Sequence, residues 1–265
     1  MKNITPQHVF DKAKKALDKK ATYASDIDLG IFNFPKYSEE EQNIEDFPPE
    51  IQNILRATGM EIDEKRRSGS FVMVNHSIVY EKINQSFNGQ LEIMAVTDAF
   101  EKYPELIEKY LWKLLPSDKD KYTAWSALHE CEGYFIRVFK DQKVSRPIQS
   151  CLLTKDNLSV QNVHNIIVLE EGAEAHIISG CTVHPNVKEG LHLGMTEMYL
   201  EKDSNLTFTM IHNWADEFVV RPRTVVKVGD NASFTNNYVL TKPARSIQSY
   251  PSVLLKGNNS RSSSN

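Results

Sequence analysis

From Pro147 onward the sequence has no apolar stripe at three- and four-residue spacing, only short apolar runs cut by turn residues, so this half cannot be helical. The turns recur as Glu171-Gly172, Asp203-Ser204-Asn205, Gly229-Asp230-Asn231 and Gly257-Asn258-Asn259, with Gly172, Asp203, Gly229 and Gly257 standing 31, 26 and 28 positions apart. A quasi-period of that size marks stacked repeats, each a supersecondary unit that buries its faces only against its neighbours. Leu206, Phe208 and Met210 alternate with Thr207 and Thr209, the two-residue period of a strand with one buried face. The pattern predicts a mainly-β domain over residues 145–265, a parallel β-helix or solenoid with about two strands per repeat. No capping helix follows the strand Tyr250–Leu255 and the polar stretch Arg261–Asn265. The expectation is a C-terminally incomplete solenoid, or one whose last edge a partner covers.

The first 66 residues read as helix and linker. Thr5-Pro6 looks like an N-cap followed by proline at the first helical position, and Val9, Phe10, Ala13, Ala16 and Leu17 give an amphipathic helix over 6–20. An acidic stretch through Glu39, Glu40, Glu41 and Glu45 reads as a solvated linker. A second helical stripe, Ile51, Ile54, Leu55 and Ala57, closes at Gly59. Residues 67–144 are mixed α and β: Phe71–Val74 and Ile78–Tyr80 are strand signals, and Phe100 to Leu111 returns to helical spacing over 98–115, with Pro104 near the first turn. Together the chain is an α+β N-terminal region followed by the β domain.

Composition limits what such a chain does. With 265 residues and a formal net charge of -4 there is no electrostatic case for nucleic acid or an anionic membrane as partner. The N-terminus lacks a signal-peptide pattern and no apolar run is long enough to span a bilayer, which places the protein in the cytoplasm. Three widely spaced cysteines, Cys131, Cys151 and Cys181, fit neither a disulfide framework nor a CxxC-type zinc site, and read as reduced thiols. There is no GxxxxGK[ST] and no GxGxxG, so no nucleotide is expected on this chain. Neither Gly-x-Ser-x-Gly nor His-Glu-x-x-His occurs, and the chain does not read as an enzyme.

Several ordered stretches carry a resemblance: Arg146-Pro147-Ile148-Gln149, Val163-His164-Asn165-Ile166-Ile167-Val168, Glu170-Glu171-Gly172-Ala173, Ile178-Ser179-Gly180-Cys181-Thr182, Leu191-His192-Leu193-Gly194, Ile211-His212-Asn213-Trp214 and Tyr250-Pro251-Ser252-Val253. In this order the chain resembles the SufB/SufD family, scaffold proteins of the SUF iron–sulfur cluster assembly system. Arg67-Ser68-Gly69-Ser70-Phe71 and Gly133-Tyr134-Phe135-Ile136 extend the likeness to its archaeal-type members. The resemblance implies a right-handed parallel β-helix core. It also implies a second SufB/SufD-type subunit and a SufC-type ABC ATPase as partners, and a transient iron–sulfur cluster as the product.

Cluster chemistry needs soft ligands, thiolate first and imidazole second. Cys181, at a strand end with His184 three residues on, is therefore the candidate for sulfur handling or a nascent cluster; Cys131 and Cys151 read as core. No His-x-x-x-His or His-x-His pair occurs at His176 or His192, so the metal ligands stay unknown. His164-Asn165 and His212-Asn213 read as polar pairs stacked between repeats. Arg221 and Arg223, with Lys227, read as a solvated strand edge. The alternative for this architecture is a carbohydrate-binding or carbohydrate-active protein. Glycosidic cleavage needs paired carboxylates, and Glu197, Asp203, Asp216 and Glu217 do not recur at the repeat period.

Overall fold

A computed structural model describes residues 4–23, 25–34 and 43–265. Glu39, Glu40 and Glu41 of the acidic run lie outside them, while Glu45 and Asp46 are exposed on a short 3-10 turn.

The first helix, α1 (Gln7–Lys14), is shorter than the apolar stripe. Pro6 is its N-cap rather than its first turn, and its carbonyl accepts from Val9 and Phe10. Ala16 reaches the core from the three-residue turns that follow. Helix α2 (Pro49–Ala57) ends as expected at Gly59, whose φ of 84° is the left-handed region glycine enters without a Cβ penalty. Next come β1 (Gly69–Val74) and β2 (Ser77–Ile83), an antiparallel hairpin, and β3 (Leu91–Ala95). The single helix expected over 98–115 is two, α3 (Val96–Lys102) and α4 (Pro104–Tyr110). Pro104 forces the residue before it out of the helical region, and Tyr103 sits at φ -137°, ψ 61°. Helix α5 (Lys121–Leu128) starts on a capping box in which Asp120 Oδ1 accepts from the backbone of Tyr122 and Thr123 at 3.0 and 3.1 Å.

The remaining strands are β4 (Tyr134–Val138), β5 (Ile148–Thr154), β6 (Ser159–Leu169), β7 (Glu174–Val183), β8 (Glu189–Leu200), β9 (Asn205–Asn213), β10 (Glu217–Val220), β11 (Arg223–Val228), β12 (Ser233–Lys242), β13 (Ser246–Ile247), β14 (Tyr250–Leu255) and β15 (Arg261–Ser264). They stack as a parallel β-solenoid of about four turns. One sheet runs β15-β12-β9-β7-β5-β1-β2 and the other β13-β10-β8-β6-β4-β3, with β11 between β8 and β14. The hairpin strand β1 joins the first sheet parallel to β5, and β4 joins the second parallel to β6.

The turn period has a backbone cause. Asp141, Gly172, Asp203, Asn231 and Asn259 all take positive φ, between 53° and 71°, a region glycine, Asn and Asp tolerate best. Each of the first four donates its N–H to the rung above: Asp141 to Glu171 O, Gly172 to Lys202 O, Asp203 to Asp230 O and Asn231 to Asn258 O, at 2.8–2.9 Å. Side chains continue the column, Asn231 to Asp203 at 2.9 Å and Asn259 to Asn231 at 3.2 Å.

The first rungs are covered on both faces, which explains why β5 and β6 are buried along their whole length, while β12, β14 and β15 are largely exposed. Between the sheets lie Ile136, Ile148, Val163, Ile177, Met198, Phe208 and Phe234. On one outer face Val9, Ala13, Tyr110, Trp112 and Tyr122 pack on Ile166, Leu191, Leu193 and Tyr199. On the other, Ile54, Leu55 and Met60 pack on Val72, Cys151 and Leu153.

The arginine run corrects the sequence reading. Arg221 and Arg223 are buried, at 1% and 0% exposure, not a solvated edge; only Lys227 remains partly open. Arg223 Nε donates to Asp120 Oδ2 at 2.8 Å, its Nη1 and Nη2 reach Gln248 O and Oε1 at 2.7 and 2.6 Å, and its guanidinium lies 4.3 Å from the Tyr250 ring centroid. The partner carboxylate comes from the cap of α5, 103 residues earlier, so no local pattern reveals it. One Asp120 side chain thus joins the helical cover to the solenoid. Removing one member of a buried pair strands the other charge. Arg223→Ala is expected to lower unfolding free energy by about 3–5 kcal/mol, read by urea unfolding, and an Asp120→Ala/Arg223→Ala double variant to lose clearly less than the sum of the singles. Additive losses refute the coupling.

Candidate functional site

Strand pleating aims alternate residues of each rung into the space between the sheets. Most of these are apolar, but one band is not. Tyr134 Oη donates to Ser179 Oγ at 3.2 Å, and Ser150 Oγ to Ser179 Oγ at 2.9 Å. Beyond this band the space between the sheets is a cavity of about 620 Å³ that extends to the last described rung at Ser262, Ser264 and Asn265 and is lined deeper in by Asn165, Cys181, His192, Gly194, Thr196, Met210, His212 and Tyr238.

Cys181, at 1% exposure, is the one cysteine on this cavity. Its Sγ lies 3.9 Å from Met210 Sδ. His212 is its register partner on β9, so the two side chains leave neighbouring backbones on the same face. His212 Nδ1 is 3.0 Å from Tyr238 Oη. From the opposite sheet His192 Nδ1 meets Gln161 Oε1 at 2.9 Å. Gly194 makes room for that ring: a Cβ there would stand 2.7 Å from His192 Nε2. Trp214 closes the group, with its ring 5.2 Å from His192 and 5.0 Å from His212, and stacks on Phe218 at 5.1 Å.

Burial sets the protonation states. It pushes the thiols of Cys131 and Cys151 up to about 12, and that of Cys181 up as well. It pulls His192 down to about 3, helped by the neighbouring His212, which burial lowers to about 4. The cavity therefore holds a protonated thiol and neutral imidazoles at pH 7, with acceptor nitrogens rather than charges.

His184 is placed elsewhere. It follows the end of β7, and its Nδ1 accepts from Asn186 N at 3.3 Å while Nε2 stands 3.3 Å from Glu50 Oε1 of α2. It lines an outer groove of about 880 Å³ with Glu50, Asn53, Lys188, Asp216 and Lys242. Cys181 and His184 thus line different cavities, with Trp214, which lines the groove and touches the imidazoles of the lumen, between them. The imidazole that shares the face of Cys181 is His212, one repeat away. The turn period is the signal that points to it, since adding the 31-residue spacing of the Gly172 and Asp203 turns to Cys181 lands on His212.

Cys131 and Cys151 are core residues, as expected; Cys151 faces α2, with Thr58 Oγ1 at 3.5 Å. The two His-Asn pairs split across the sheets. Asn165 and His212 line the lumen, whereas Asn213 donates to Thr182 Oγ1 at 3.2 Å and His164 meets Glu197 at 2.8 Å beneath Trp112. Glu197 is fully buried and accepts from the backbone N–H groups of Trp112, Leu114 and Leu115 at 2.5–3.0 Å, while Glu217 pairs with Arg245 at 3.4 Å. These carboxylates hold structure and do not face one another across a cleft. Among the described residues no group of three or more His, Cys, Asp and Glu converges as a metal site, and no helix is long and apolar enough to cross a membrane.

Stacked rungs around a lumen lined by thiol and imidazole define a solenoid scaffold. The chain belongs to the SufBD family. Residues 151–265 match the SufBD core domain of SUF system FeS cluster assembly, and residues 61–150 match the SufBD protein N-terminal region. A protein of Methanothermobacter thermautotrophicus named as an iron-sulfur cluster assembly SufBD family protein is 42% identical over 256 residues, covering 94% of this chain and 62% of its own length. A like-named protein of Archaeoglobus fulgidus is 39% identical over 202 residues, covering 76% and 53%, and one of Staphylococcus aureus is 27% identical over 247 residues, covering 89% and 52%. The chain thus spans about half to three fifths of the length of these relatives.

Two outcomes follow from the lumen. A small thiol reagent such as iodoacetamide at pH 8 is expected to modify Cys181 before Cys131 and Cys151, by peptide mass mapping; equal or inverted rates contradict the assigned orientation. For His192 the folded value lies below the unfolded 6.5, so the unfolded state binds the extra proton and stability falls as pH drops from about 6.5 toward 3. At about 1.4 kcal/mol per pH unit, the loss from this group between pH 7 and pH 4 is about 3 kcal/mol. His192→Gln is expected to flatten that part of the stability-versus-pH curve, and an unchanged slope refutes it.

Proposed function

We propose that this chain is a scaffold component of iron–sulfur cluster assembly in which Cys181 receives sulfur inside the solenoid. The observation that carries the reading is the placement of Cys181 on a cavity with His212 and Met210 beside it and His192 across from it. A buried, protonated thiol reacts slowly with free electrophiles, which favours a persulfide delivered into contact with it. The step balances without an outside oxidant. Sγ attacks the terminal sulfur of R–S–SH, the donor S–S bond breaks, and the Cys181 proton leaves with the donor as R–SH. Cys181 then carries the persulfide, and iron and sulfur are the cargo of the assembly rather than resident cofactors.

On this reading the protein is not an enzyme in its own right. No nucleotide-binding sequence motif occurs in the chain, which supports assigning ATP use to a SufC-type ABC ATPase partner, with a second SufB/SufD-type subunit completing the complex. Three unpaired cysteines suit a reducing cytoplasm.

The test is anaerobic incubation with a persulfide donor, then with ferrous iron. The wild-type chain is expected to gain 32 mass units on the Cys181 peptide and a visible thiolate-to-iron absorbance. Cys181→Ser is expected to lose both while Cys151→Ser keeps them. Persulfide on Cys131 or Cys151 instead, or none at all, overturns the assignment.

A further inference from the structure

Cys181 is flanked on β9 by two side chains that share its face, Met210 two residues before its register partner and His212 as that partner. This brings a thiol, a thioether and an imidazole together inside a cavity, at 1%, partial and 2% exposure. A thioether beside a thiol makes this set soft. Zinc takes four ligands from Cys, His and carboxylate, and no such group forms here among the described residues. Sulfur ligands also suit Cu(I), a soft monovalent d10 ion that is content with two or three ligands. Spacing agrees with that choice. Two metal–sulfur bonds of about 2.3 Å, opening at the ~120° of a trigonal plane, separate their sulfurs by about 4 Å; Sγ and Sδ stand 3.9 Å apart. The third corner falls to His212, whose Nδ1 is engaged with Tyr238 Oη, an outer hydrogen bond that fixes the ring and leaves Nε2 for a metal.

We propose that Cys181 Sγ, Met210 Sδ and His212 Nε2 form a three-coordinate site for a soft monovalent ion, Cu(I) and its analogue Ag(I). Binding replaces the thiol proton, which leaves to solvent, with no change in oxidation state. The site occupies the same sulfur that the assembly reading uses, so a bound Cu(I) ion blocks sulfur acceptance. The metal site does not depend on that reading, because it rests on the ligand set alone.

The probe is Cu(I), supplied anaerobically as its acetonitrile complex and challenged with a coloured Cu(I) chelator such as bicinchoninate. The wild-type chain is expected to withhold one equivalent. Cys181→Ser is expected to release it entirely, and Met210→Leu and His212→Phe to weaken retention by about tenfold or more each. Cys131→Ser and Cys151→Ser are expected to behave as wild type, and Zn(II) not to be retained. Far-ultraviolet circular dichroism checks that each variant is folded, and Ag(I) titration followed by native mass spectrometry gives the stoichiometry without redox chemistry. Retention by Cys181→Ser, or undiminished retention by both Met210→Leu and His212→Phe, overturns the site. Loss of metal binding with sulfur acceptance intact at Cys181 refutes this inference alone.

Discussion

Parallel, in-register hydrogen bonding between rungs is the constraint on which the rest of the molecule depends. The strands from β5 to β9 direct their ladder hydrogen bonds to the rungs before and after them, along the stack rather than into the interior. The lumen can therefore be furnished by side chains alone, in columns one repeat deep. That is how Ser150, Ser179 and Tyr134 form a polar band inside an otherwise apolar core, and how Cys181 comes to lie beside His212.

The helical cover answers a second demand of the same geometry. A parallel sheet with one wet face would expose Ile166, Leu191 and Tyr199, and α1, α4 and α5 bury them. The buried polar contacts on that face, His164 to Glu197 and Glu197 to three backbone donors of the 112–115 segment, fix where the cover sits. Asp120 does the same at the other end by serving α5 and Arg223 at once. Gly180 completes the fit on the opposite face, where a Cβ would lie 2.7 Å from the carbonyl of Thr58 at the end of α2.

Architecture was legible in the sequence because turn residues report backbone conformation directly. Gly172, Asp203, Asn231 and Asn259 are the left-handed corners, and their chemistry is local. Side-chain neighbours were not legible to the same degree. Residue type and strand single out Cys181, but spacing along the chain points to His184, three residues on, while the solenoid places His212, one rung away, beside it. Arg221 and Arg223 read as surface for a related reason: charge is a surface signal unless a counter-charge is known, and theirs arrives from Asp120 across more than a hundred residues. The break at Tyr103 was the opposite case, since Pro104 states it outright and the apolar stripe running across it conceals the stop.

The column of left-handed corners has one more implication. Each of the first four corners carries its own turn residue and its own hydrogen bond to the rung above, so the chain repeats in units of 31 and then 28 residues, each burying its faces against its neighbours. Whole rungs added beyond β9 leave the pairing of Cys181 with His212 unchanged, whereas loss of the β9 rung removes both Met210 and His212 from beside it. The same modularity forbids small insertions in the strands, where a single added residue would turn a cysteine from the lumen to the outside.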